Sequence, residues 1–498
     1  MSKRFLCLLL TITFLFTAAV GRLGYIAVSG AYEVSSGYNS YLITIDSNYP
    51  TLYYSDLQRI NNNKNKYVAV IRQTERDIAE LYTLFDYNQR QEIINELKNG
   101  YPVVRNIDSK YKDKTKSIKI YKINGSDDAL KQLISPESGG MLSYLDKNYA
   151  TKKVAFSIDA KGRLLSGDTG KLEENNYDSY YGFKLTIDKS VQQIAENACK
   201  DMKSGAAIVM DVKSSKILAC VTKPDDSYIN KCFANYCVGS VYKLVVAACA
   251  LENNIDLTYT CKGSIKVNDS VFSCQGNHVH GTQTLKTALA NSCNCYFVNL
   301  ALTLGSDKIL HTSQKFGFDS TINLFDDWSV KASKLPQRDS LTSKGQLALL
   351  GFGQGTLLAS PLQICSTLCT IANNGTYNEP CLITSRVDKK GNLAPYSTQN
   401  SKNAIKKSNA NTLVKYMRYV VSNGTGKAAD TAKGLSAGKT ATAQTGQFAD
   451  GNELLNTWFA GVYPYNNPKY AIVIMTEQGT SGAKDCCPVF RAIVENLA

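Results

Sequence analysis

The sequence predicts an α+β protein. It would have a central antiparallel β-sheet flanked by helices plus a helical lobe, preceded by an elongated β-rich pedestal and one N-terminal transmembrane helix. Three observations predict this order. The chain has 498 residues, 44% of them hydrophobic, which is too long for one compact core. An apolar run begins directly after Lys3 and Arg4. Of the fifteen cysteines, fourteen lie between Cys199 and Cys487, which marks the second half as a separate unit.

The N-terminus, residues 1–28, predicts a cytoplasmic tip and a membrane anchor. The apolar run from Phe5 to Gly21 is at the lower limit for spanning a bilayer, and apolar character resumes from Leu23 to Val28. Positive charges before the run would keep the tip in the cytoplasm and place the remainder outside the cell membrane. The alternative is a signal peptide cleaved near Ala18. Either interpretation exports the rest of the chain.

Residues 29–180 are predicted to form the pedestal. This part is polar, and the alternating segments Tyr41–Ile45 and Tyr67–Ile71 predict strands. Apolar residues at helical spacing predict a helix from Thr74 to Asn99. The segment carries no recognisable set of catalytic side chains. We therefore expect it to support the domain that follows.

Residues 181–498 are predicted to form that domain. Paired apolar runs around short turns indicate two hairpins, and a last helix follows the second. These elements are Ala206–Asp211 with Lys216–Thr222, Thr457–Tyr463 with Tyr470–Thr476, and Val489–Leu497. Because the hairpins lie at opposite ends of the domain, one sheet would take strands from both. The middle, about residues 235–425, would be the helical lobe.

The charge of the chain does not point to a nucleic-acid partner. The formal net charge is +14 and the sequence pI is about 8.9. The basic residues are scattered, as between Lys110 and Lys116, and form no dense block with interleaved aromatic side chains. A solvated basic surface explains the charge better than a nucleic-acid site does, and such a surface is compatible with anionic polymers outside the cell.

A serine nucleophile with a lysine base is visible in the sequence. The chain has three histidines, and His278 and His280 lie in a turn-rich segment that does not suit a Ser-His-Asp triad. Ser240 and Lys243 instead open the apolar helical stretch Leu244–Leu251, where positions i and i+3 share a face. A buried lysine with a lowered pKa can accept the hydroxyl proton. Taken alone, the pair could equally be an ordinary surface Ser and Lys.

Two further motifs strengthen this interpretation. Ser292 and Asn294 follow the helical stretch Leu285–Ala290, and their side chains can face one cleft. Lys439 and Thr440 lie in an extended segment whose backbone can bind a peptide as an added strand. Each motif has an ordinary alternative, a helix cap for the first and a solvated edge strand for the second.

The ordered set S-x-x-K, S-x-N and K-T-x resembles penicillin-binding proteins and serine β-lactamases. The surroundings resemble the transpeptidase domain of class B penicillin-binding proteins in particular. The segments that carry this likeness are Leu185–Asp188 with Gln192, Val209–Asp211 with Ile217–Ala219, His280–Gly281, Gly353–Gly355 with Ser360–Gln363, and Trp458–Gly461. The resemblance covers about residues 180–498. The pedestal is similar only loosely, through Asp159–Arg163.

The resemblance implies a peptidoglycan D,D-transpeptidase that cross-links stem peptides. Ser240 would attack the D-Ala-D-Ala carbonyl and release the terminal D-Ala, with Lys243 as the base. Ser292 would pass the proton to the leaving amine, and Asn294 would orient the substrate. An amine of a neighbouring stem peptide would then resolve the acyl-enzyme. β-Lactams would acylate Ser240 as substrate mimics.

The third motif would bind the substrate. By resemblance, Lys439 and Thr440 would hold the terminal carboxylate, and Ala441 and Thr442 would line the same strand. The backbone amides of Ser240 and Thr442 would form the oxyanion hole. The resemblance implies no cofactor, and a membrane-bound polymerase of lipid-linked glycan is expected as a partner.

Two departures from the family pattern leave other functions open. Ala441 stands where the family usually has Gly, and Val238 stands where Pro is common. The alternatives are a D,D-carboxypeptidase or β-lactamase-like hydrolase, and a scaffold or sensor of low activity. No metal site is assigned. Cys261 and Cys274 flank a loop before His280 and could form a disulfide, bind zinc with that histidine, or be free thiols.

Overall fold

The structure is a computed structural model of the chain. It describes residues 3–29, 40–47, 50–60, 64–111, 114–125, 130–134, 140–141, 151–159, 161–165, 167–174, 182–227, 229–325, 328–388, 390–396 and 399–497. These residues group into two compact units. The first is Met1–Tyr49, Asn63–Ser126 and Asn148–Asp178, and the second is Pro50–Asn62, Asp127–Lys147 and Ser179–Ala498.

The helices of the described part of the chain are most frequent in the second unit. In chain order they are α1 Lys3–Ser29, α2 Glu75–Leu84, α3 Tyr87–Leu97, α4 Lys131–Ile134, α5 Lys189–Ala198, α6 Lys243–Glu252, α7 Leu285–Ala290, α8 Asn294–Leu304, α9 Ser306–Lys315, α10 Lys344–Gly351, α11 Pro361–Ala372, α12 Lys407–Asn423, α13 Gly482–Asp485 and α14 Cys487–Leu497. Short 3-10 turns stand at Ser109–Tyr111, Gly239–Tyr242, Gln275–Asn277, Arg338–Thr342 and Lys427–Ala429.

The strands are spread over both units. They are β1 Ser40–Ser47, β2 Leu52–Tyr53, β3 Lys64–Ile71, β4 Val103–Ile107, β5 Lys119–Gly125, β6 Thr151–Ser157, β7 Lys171–Glu174, β8 Gly182–Leu185, β9 Gly205–Asp211, β10 Ile217–Lys223, β11 Tyr259–Cys261, β12 Ser264–Val267, β13 Ser270–Ser273, β14 Gly281–Gln283, β15 Ile322–Phe325, β16 Trp328–Val330, β17 Ser333–Lys334, β18 Leu358–Ala359, β19 Thr376–Asn378, β20 Ile383–Val387, β21 Leu393–Pro395, β22 Ser401–Asn403, β23 Ala437–Ala449, β24 Asn452–Tyr463 and β25 Tyr470–Thr476.

The first unit is built on two three-stranded sheets, β4-β3-β5 and β1-β6-β7. Strand β3 is buried on both faces, because side chains alternate along a strand. Ala69 and Ile71 join the core that α2 and α3 cover, whereas Val68 and Val70 join a second core with Phe156. The predicted strand Tyr67–Ile71 therefore forms, but it is buried on both faces instead of alternating between core and solvent.

The single helix predicted over Thr74–Asn99 is wrong in one respect, since the segment forms two helices. Phe85 is extended, with φ −134° and ψ 151°, and ends α2. Asp86 then caps α3 in a reciprocal capping box with Gln89. The capping signal therefore overrides the continuous apolar spacing.

The second unit is organised around the predicted sheet. The five strands are antiparallel in the order β10-β9-β25-β24-β23, so both hairpins contribute. Helices α5 and α14 cover one face through a core that includes Val191, Phe459, Phe490 and Ile493. Helix α11 is buried against β9 and β25. Strand β23 lies at the edge of the sheet, next to the 3-10 turn Gly239–Tyr242.

The predicted helical lobe also contains strand pairs. Helices α6 to α12 all lie within residues 235–425, but β12 and β13 form a hairpin there. Its turn places Asn268 at φ 51°, a left-handed conformation that Asn tolerates in two-residue hairpin turns. Strand β20 pairs with β8, outside the lobe. These strands were not predicted because they are too short to show a periodic pattern of apolar residues.

The N-terminal segment forms the helix α1. Among the residues that the structure describes, no helix is both long and apolar enough to cross a membrane. The predicted transmembrane anchor is therefore not supported by the structure.

Candidate active site

Ser240 lies on the 3-10 turn Gly239–Tyr242, directly before α6. Two glycines make this turn possible. Gly239 has φ 55°, and its N–H donates to the carbonyl of Gly353 at 3.0 Å. Gly353 has φ 83°, and a Cβ there would lie 2.0 Å from the Gly239 oxygen. The loop that carries Gly353 thus packs directly against the turn that carries Ser240. Val238, where the family commonly has Pro, is fully buried.

Lys243 is one turn beyond Ser240 and is fully buried. Its Nζ donates to the Ser292 carbonyl at 2.8 Å and to Asn294 Oδ1 at 2.7 Å, with Ser292 Oγ at 3.4 Å. Burial disfavours the charged ammonium and lowers the pKa of Lys243 to about 7. This lysine can therefore exist as a neutral base near neutral pH.

Ser292 connects two lysines. It stands between α7 and α8 in a left-handed conformation, with φ 52°. Its Oγ accepts from Lys439 Nζ at 3.0 Å and lies 3.4 Å from Lys243 Nζ. Asn294 begins α8, and its amide donates to the Ser273 carbonyl at 2.9 Å. The S-x-N motif therefore forms a polar junction that contacts both Lys243 and Lys439.

Lys439 and Thr440 come from the edge strand β23. Lys439 is fully buried and donates to the Thr440 carbonyl at 2.8 Å. Burial, and then the charge of Lys243, lower the pKa of Lys439 well below its ordinary value. Thr440 Oγ1 shares a 2.5 Å hydrogen bond with Thr425 Oγ1. In the described part of the chain, no hydrogen bond joins Ser240 Oγ to Lys243 Nζ, a contact that often tightens only with substrate bound.

The predicted site residues gather around one cleft of about 1030 Å³. The residues that line it include Ser240, Ser292, Asn294, Thr440, Ala441 and Thr442. Lys243 and Lys439 are fully buried and contact Ser292, which lines the cleft. The structure thus brings all eight predicted residues together, although they come from three distant parts of the chain.

Sequence reasoning missed Thr425, which lines the same cleft. The residue follows α12, and its N–H donates to the Ala290 carbonyl at 3.1 Å. Gly424 permits this approach, because a Cβ there would lie 2.3 Å from the same oxygen. The signal in the sequence was the Gly424-Thr425-Gly426 triplet, where two glycines flank a hydroxyl at a helix end.

The cysteines beside the S-x-N motif form a cluster that the sequence revealed only in part. Cys261 and Cys274 are both free, with Sγ atoms 3.7 Å apart, so the structure contains no disulfide between them. Cys274 Sγ also lies 3.8 Å from Cys293 Sγ and 3.6 Å from Cys295 Sγ. Cys293 is the middle residue of S-x-N itself.

A buried lysine next to a serine at a helix start, beside an edge strand open to a cleft, is the arrangement expected of a serine-lysine acyl-transfer site. Residues 205–495 match the family model "Penicillin binding protein transpeptidase domain". The match covers more than half of the chain. The chain belongs to this family.

Curated relatives agree with this assignment. Stage V sporulation protein D of Bacillus subtilis is 25% identical over 370 residues, covering 68% of this chain and 56% of the relative. Peptidoglycan D,D-transpeptidase MrdA of Haemophilus influenzae is 26% identical over 367 residues, covering 62% of this chain and 55% of the relative. The matched regions therefore span little more than half the length of these two proteins.

Solved structures share the fold. Penicillin-binding protein A from M. tuberculosis, as a penicillin G acyl-enzyme complex, aligns with a TM-score of 0.57 at 21% identity, over 64% of this chain and 80% of that one. A peptidoglycan synthetase from Bifidobacterium adolescentis aligns with a TM-score of 0.65 at 16% identity, over 92% of this chain and 96% of that one. At these identities the comparison establishes the fold.

Proposed function

We propose that this chain is a peptidoglycan D,D-transpeptidase that works through a Ser240 acyl-enzyme and is acylated by β-lactams. The observation that carries the proposal is the buried Lys243–Ser292–Lys439 network beneath the Ser240 turn. In this proposal Lys243 is the base, Ser292 is the proton relay and Lys439 binds the substrate carboxylate. The relatives named as D,D-transpeptidases support the same activity.

Acylation would begin with neutral Lys243 taking the Ser240 proton. Ser240 Oγ then bonds to the carbonyl carbon of the penultimate D-Ala, and the backbone N–H groups of Ser240 and Thr442 stabilise the oxyanion. The C–N bond breaks as the proton passes from Lys243 through Ser292 to the leaving amine. Terminal D-Ala departs, and the ester on Ser240 remains.

Substrate orientation would come from the cleft walls. Lys439, Thr440 and Thr425 would donate hydrogen bonds to a terminal carboxylate, since both threonines line the cleft and Lys439 contacts Ser292, which also lines it. The edge strand β23 can pair with the stem-peptide backbone as an added strand, which holds the scissile carbonyl against Ser240. Asn294 already binds Lys243 through Oδ1, so its placement fixes the base.

Deacylation would transfer the acyl group to an amine of a second stem peptide. The amine attacks the ester carbonyl, its proton passes to a group of the Lys243–Ser292 pair, and Ser240 recovers its proton. A water molecule in place of the amine would give the carboxypeptidase or β-lactamase-like outcome. The same machinery serves both, so the acceptor decides the product.

A low-activity scaffold or sensor is the alternative that one observation favours. Ala441 lines the cleft on β23 with 4% of its surface exposed, where the family usually has Gly. A methyl group there would narrow the space for an added strand. Ala441→Gly would then raise the rate of acylation by a penicillin, whereas an equal rate in both proteins would show that the methyl is tolerated.

The decisive experiment is intact-mass measurement of the full chain after incubation with a penicillin. One added acyl group on the wild type and none on Ser240→Ala are expected. A folded wild type that gains no adduct would contradict the proposal and favour the scaffold. A donor and acceptor stem-peptide pair then separates the outcomes, because a transpeptidase yields a cross-linked product and a hydrolase yields the free acid.

We also propose the division into an anchor (1–28), a pedestal (29–180) and a catalytic domain (181–498). The second compact unit supports the last boundary, since it takes up the chain from Ser179, although Pro50–Asn62 and Asp127–Lys147 also group with it. Expression of 181–498 alone tests this division. An insoluble product that the longer chain rescues would show that the earlier segments complete the domain.

A membrane location with the catalytic domain outside the cell stays a prediction. What supports it is α1, where large apolar side chains such as Leu10, Phe14 and Phe16 are exposed. Fractionation of the full chain against a variant lacking residues 1–28 tests it, with recovery of both proteins in the soluble fraction as the contrary result. A partner polymerase of lipid-linked glycan is likewise a prediction, for co-purification to test.

A further inference from the structure

We propose that Cys261, Cys274, Cys293 and His280 bind one structural zinc ion beside the active site. Their ligand atoms all lie within 4.8 Å of one another. The three cysteines are buried and His280 is half-buried. Three thiolates and one imidazole are a common ligand set of structural zinc sites. The proposal is independent of the transpeptidase function.

Three of the six distances between ligand atoms match a tetrahedral zinc ion. With Zn–S bonds of about 2.3 Å and Zn–N bonds of about 2.0 Å, tetrahedral geometry places neighbouring sulfurs about 3.8 Å apart, and sulfur and nitrogen about 3.5 Å apart. The Sγ atoms of Cys261 and Cys274 are 3.7 Å apart, and those of Cys274 and Cys293 are 3.8 Å apart. Cys261 Sγ lies 3.6 Å from His280 Nδ1.

Backbone groups around the sulfurs suit thiolates. The N–H of Gly263 donates to Cys261 Sγ at 3.4 Å, and the N–H of Tyr296 donates to Cys293 Sγ at 3.5 Å. Such donors stabilise negative charge on coordinating sulfur and orient the ligands. Gly263 is required for this turn, because it has φ 91° and a Cβ there would lie 2.5 Å from the Asn277 oxygen.

The fold brings the four ligands together from separate elements. Cys261 ends β11 and pairs with Gly281 of β14, next to His280. Cys274 follows the hairpin of β12 and β13, and Cys293 caps α8. The helix-poor segment between α6 and α7 has few apolar residues to bury. A metal ion would supply the cross-link that its small core lacks.

The site has a direct consequence for the catalytic loop. Cys293 belongs to the cluster, whereas Ser292 and Asn294 on either side of it accept hydrogen bonds from Lys243. Zinc would therefore hold the middle of the S-x-N motif and limit the movement of its two flanking residues. Binding would release the protons of three thiols to solvent as three Zn–S bonds form.

Cys295 lies next to the four proposed ligands, but we do not expect it to bind the zinc ion. Its Sγ lies 3.6 Å from Cys274 Sγ, but it is outside the group whose ligand atoms all lie close together. We expect it to pack beside the metal without binding it. The variant Cys295→Ala should therefore keep the zinc ion.

The test measures metal content by elemental analysis of the full chain, purified with zinc present and then dialysed. One zinc ion per chain is expected for the wild type, for Cys295→Ala and for Cys369→Ser, which removes a buried thiol of α11 far along the sequence. His280→Ala and Cys274→Ser should retain well under one zinc ion per chain after dialysis, because each variant lacks one of the four ligands. His280→Ala should still fold, because the His280 side chain is only half-buried, so a loss of zinc in this variant can be assigned to the missing ligand.

Cobalt substitution gives a second readout that does not depend on activity. A tetrahedral thiolate site should show thiolate-to-cobalt charge transfer and strong visible ligand-field bands, which His280→Ala would weaken or shift. Three outcomes would overturn the proposal. They are no stoichiometric metal in folded wild type, equal metal in all variants, which indicates adventitious binding, and a disulfide between cluster cysteines found by alkylation and mass analysis.

Discussion

The rate of Ser240 acylation should depend on pH through Lys243. The base must be neutral to accept the hydroxyl proton, and burial lowers its pKa from 10.5 to about 7. At pH 7 about half of such lysines are neutral, compared with about one in 3,000 for an ordinary lysine. The buried site thus gains about a thousandfold in the fraction of competent enzyme.

The sign of the effect follows from which form reacts. Below pH 7 the acylation rate should fall about tenfold for each pH unit, and above pH 7 it should level off. The assay is the pseudo-first-order rate of acylation by a fluorescent penicillin, from about pH 5 to about pH 9. Buffer hydrolysis of the β-lactam is subtracted with Ser240→Ala.

Two results would refute this reasoning. A rate that rises through the whole range without levelling off would mean that Lys243 is not desolvated when the enzyme reacts. A rate independent of pH would mean that another group takes the proton. Lys427→Met serves as the control, because Lys427 is exposed and should leave the profile unchanged.

Three further changes should affect stability in defined ways. Lys243→Met should abolish acylation yet raise the free energy of unfolding by about 1–3 kcal/mol in urea titrations, because an apolar group replaces a costly buried cation. Wild-type stability should rise between pH 7 and 10.5 as the unfolded chain holds a proton that the folded chain has lost, and the variant should lack this slope. Gly353→Ala should lower the free energy of unfolding by about 2–4 kcal/mol and the acylation rate by at least about a hundredfold. The control Gly391→Ala has the same φ of 83° but open space around it, so it should lower the free energy of unfolding by about 1 kcal/mol and leave the acylation rate unchanged. Equal losses for the two variants in thermal melts and kinetics would rule out the close approach at Gly353 as the cause. Asp77→Ala should destabilise the first unit by about 3–5 kcal/mol in thermal melts, because it leaves Arg72 without its buried partner, and an unchanged melting temperature would contradict this.

The central sheet was predictable because its strands carry two independent signals. Each hairpin pairs two buried apolar runs around a polar turn, and β9, β10, β24 and β25 all form as those signals indicate. The helix predicted before S-x-N, Leu285–Ala290, also forms over those residues. Periodicity did not predict the break between α2 and α3 or the short strands of the lobe. These features depend on single capping and turn residues, which a pattern taken over many residues does not detect.

The active site was predictable as a list of residues but not as a network. Motif order identified Ser240, Lys243 and Lys439, yet nothing in the sequence shows that Ser292 Oγ lies within 3.4 Å of both lysines. That junction arises from the left-handed conformation of Ser292 and the packing of α8 against α6. Thr425 was missed for the same reason, since its place depends on where α12 ends.

The junction also bears on how substrate would activate the enzyme under the proposed function. Burial lowers the pKa of Lys439, and repulsion from a charged Lys243, which contacts the same Ser292, lowers it further. A substrate carboxylate arriving beside Lys439 would favour the charged form of that lysine. A charged Lys439 in turn disfavours a charge on Lys243, so carboxylate binding would keep the base neutral at the moment when Ser240 must lose its proton.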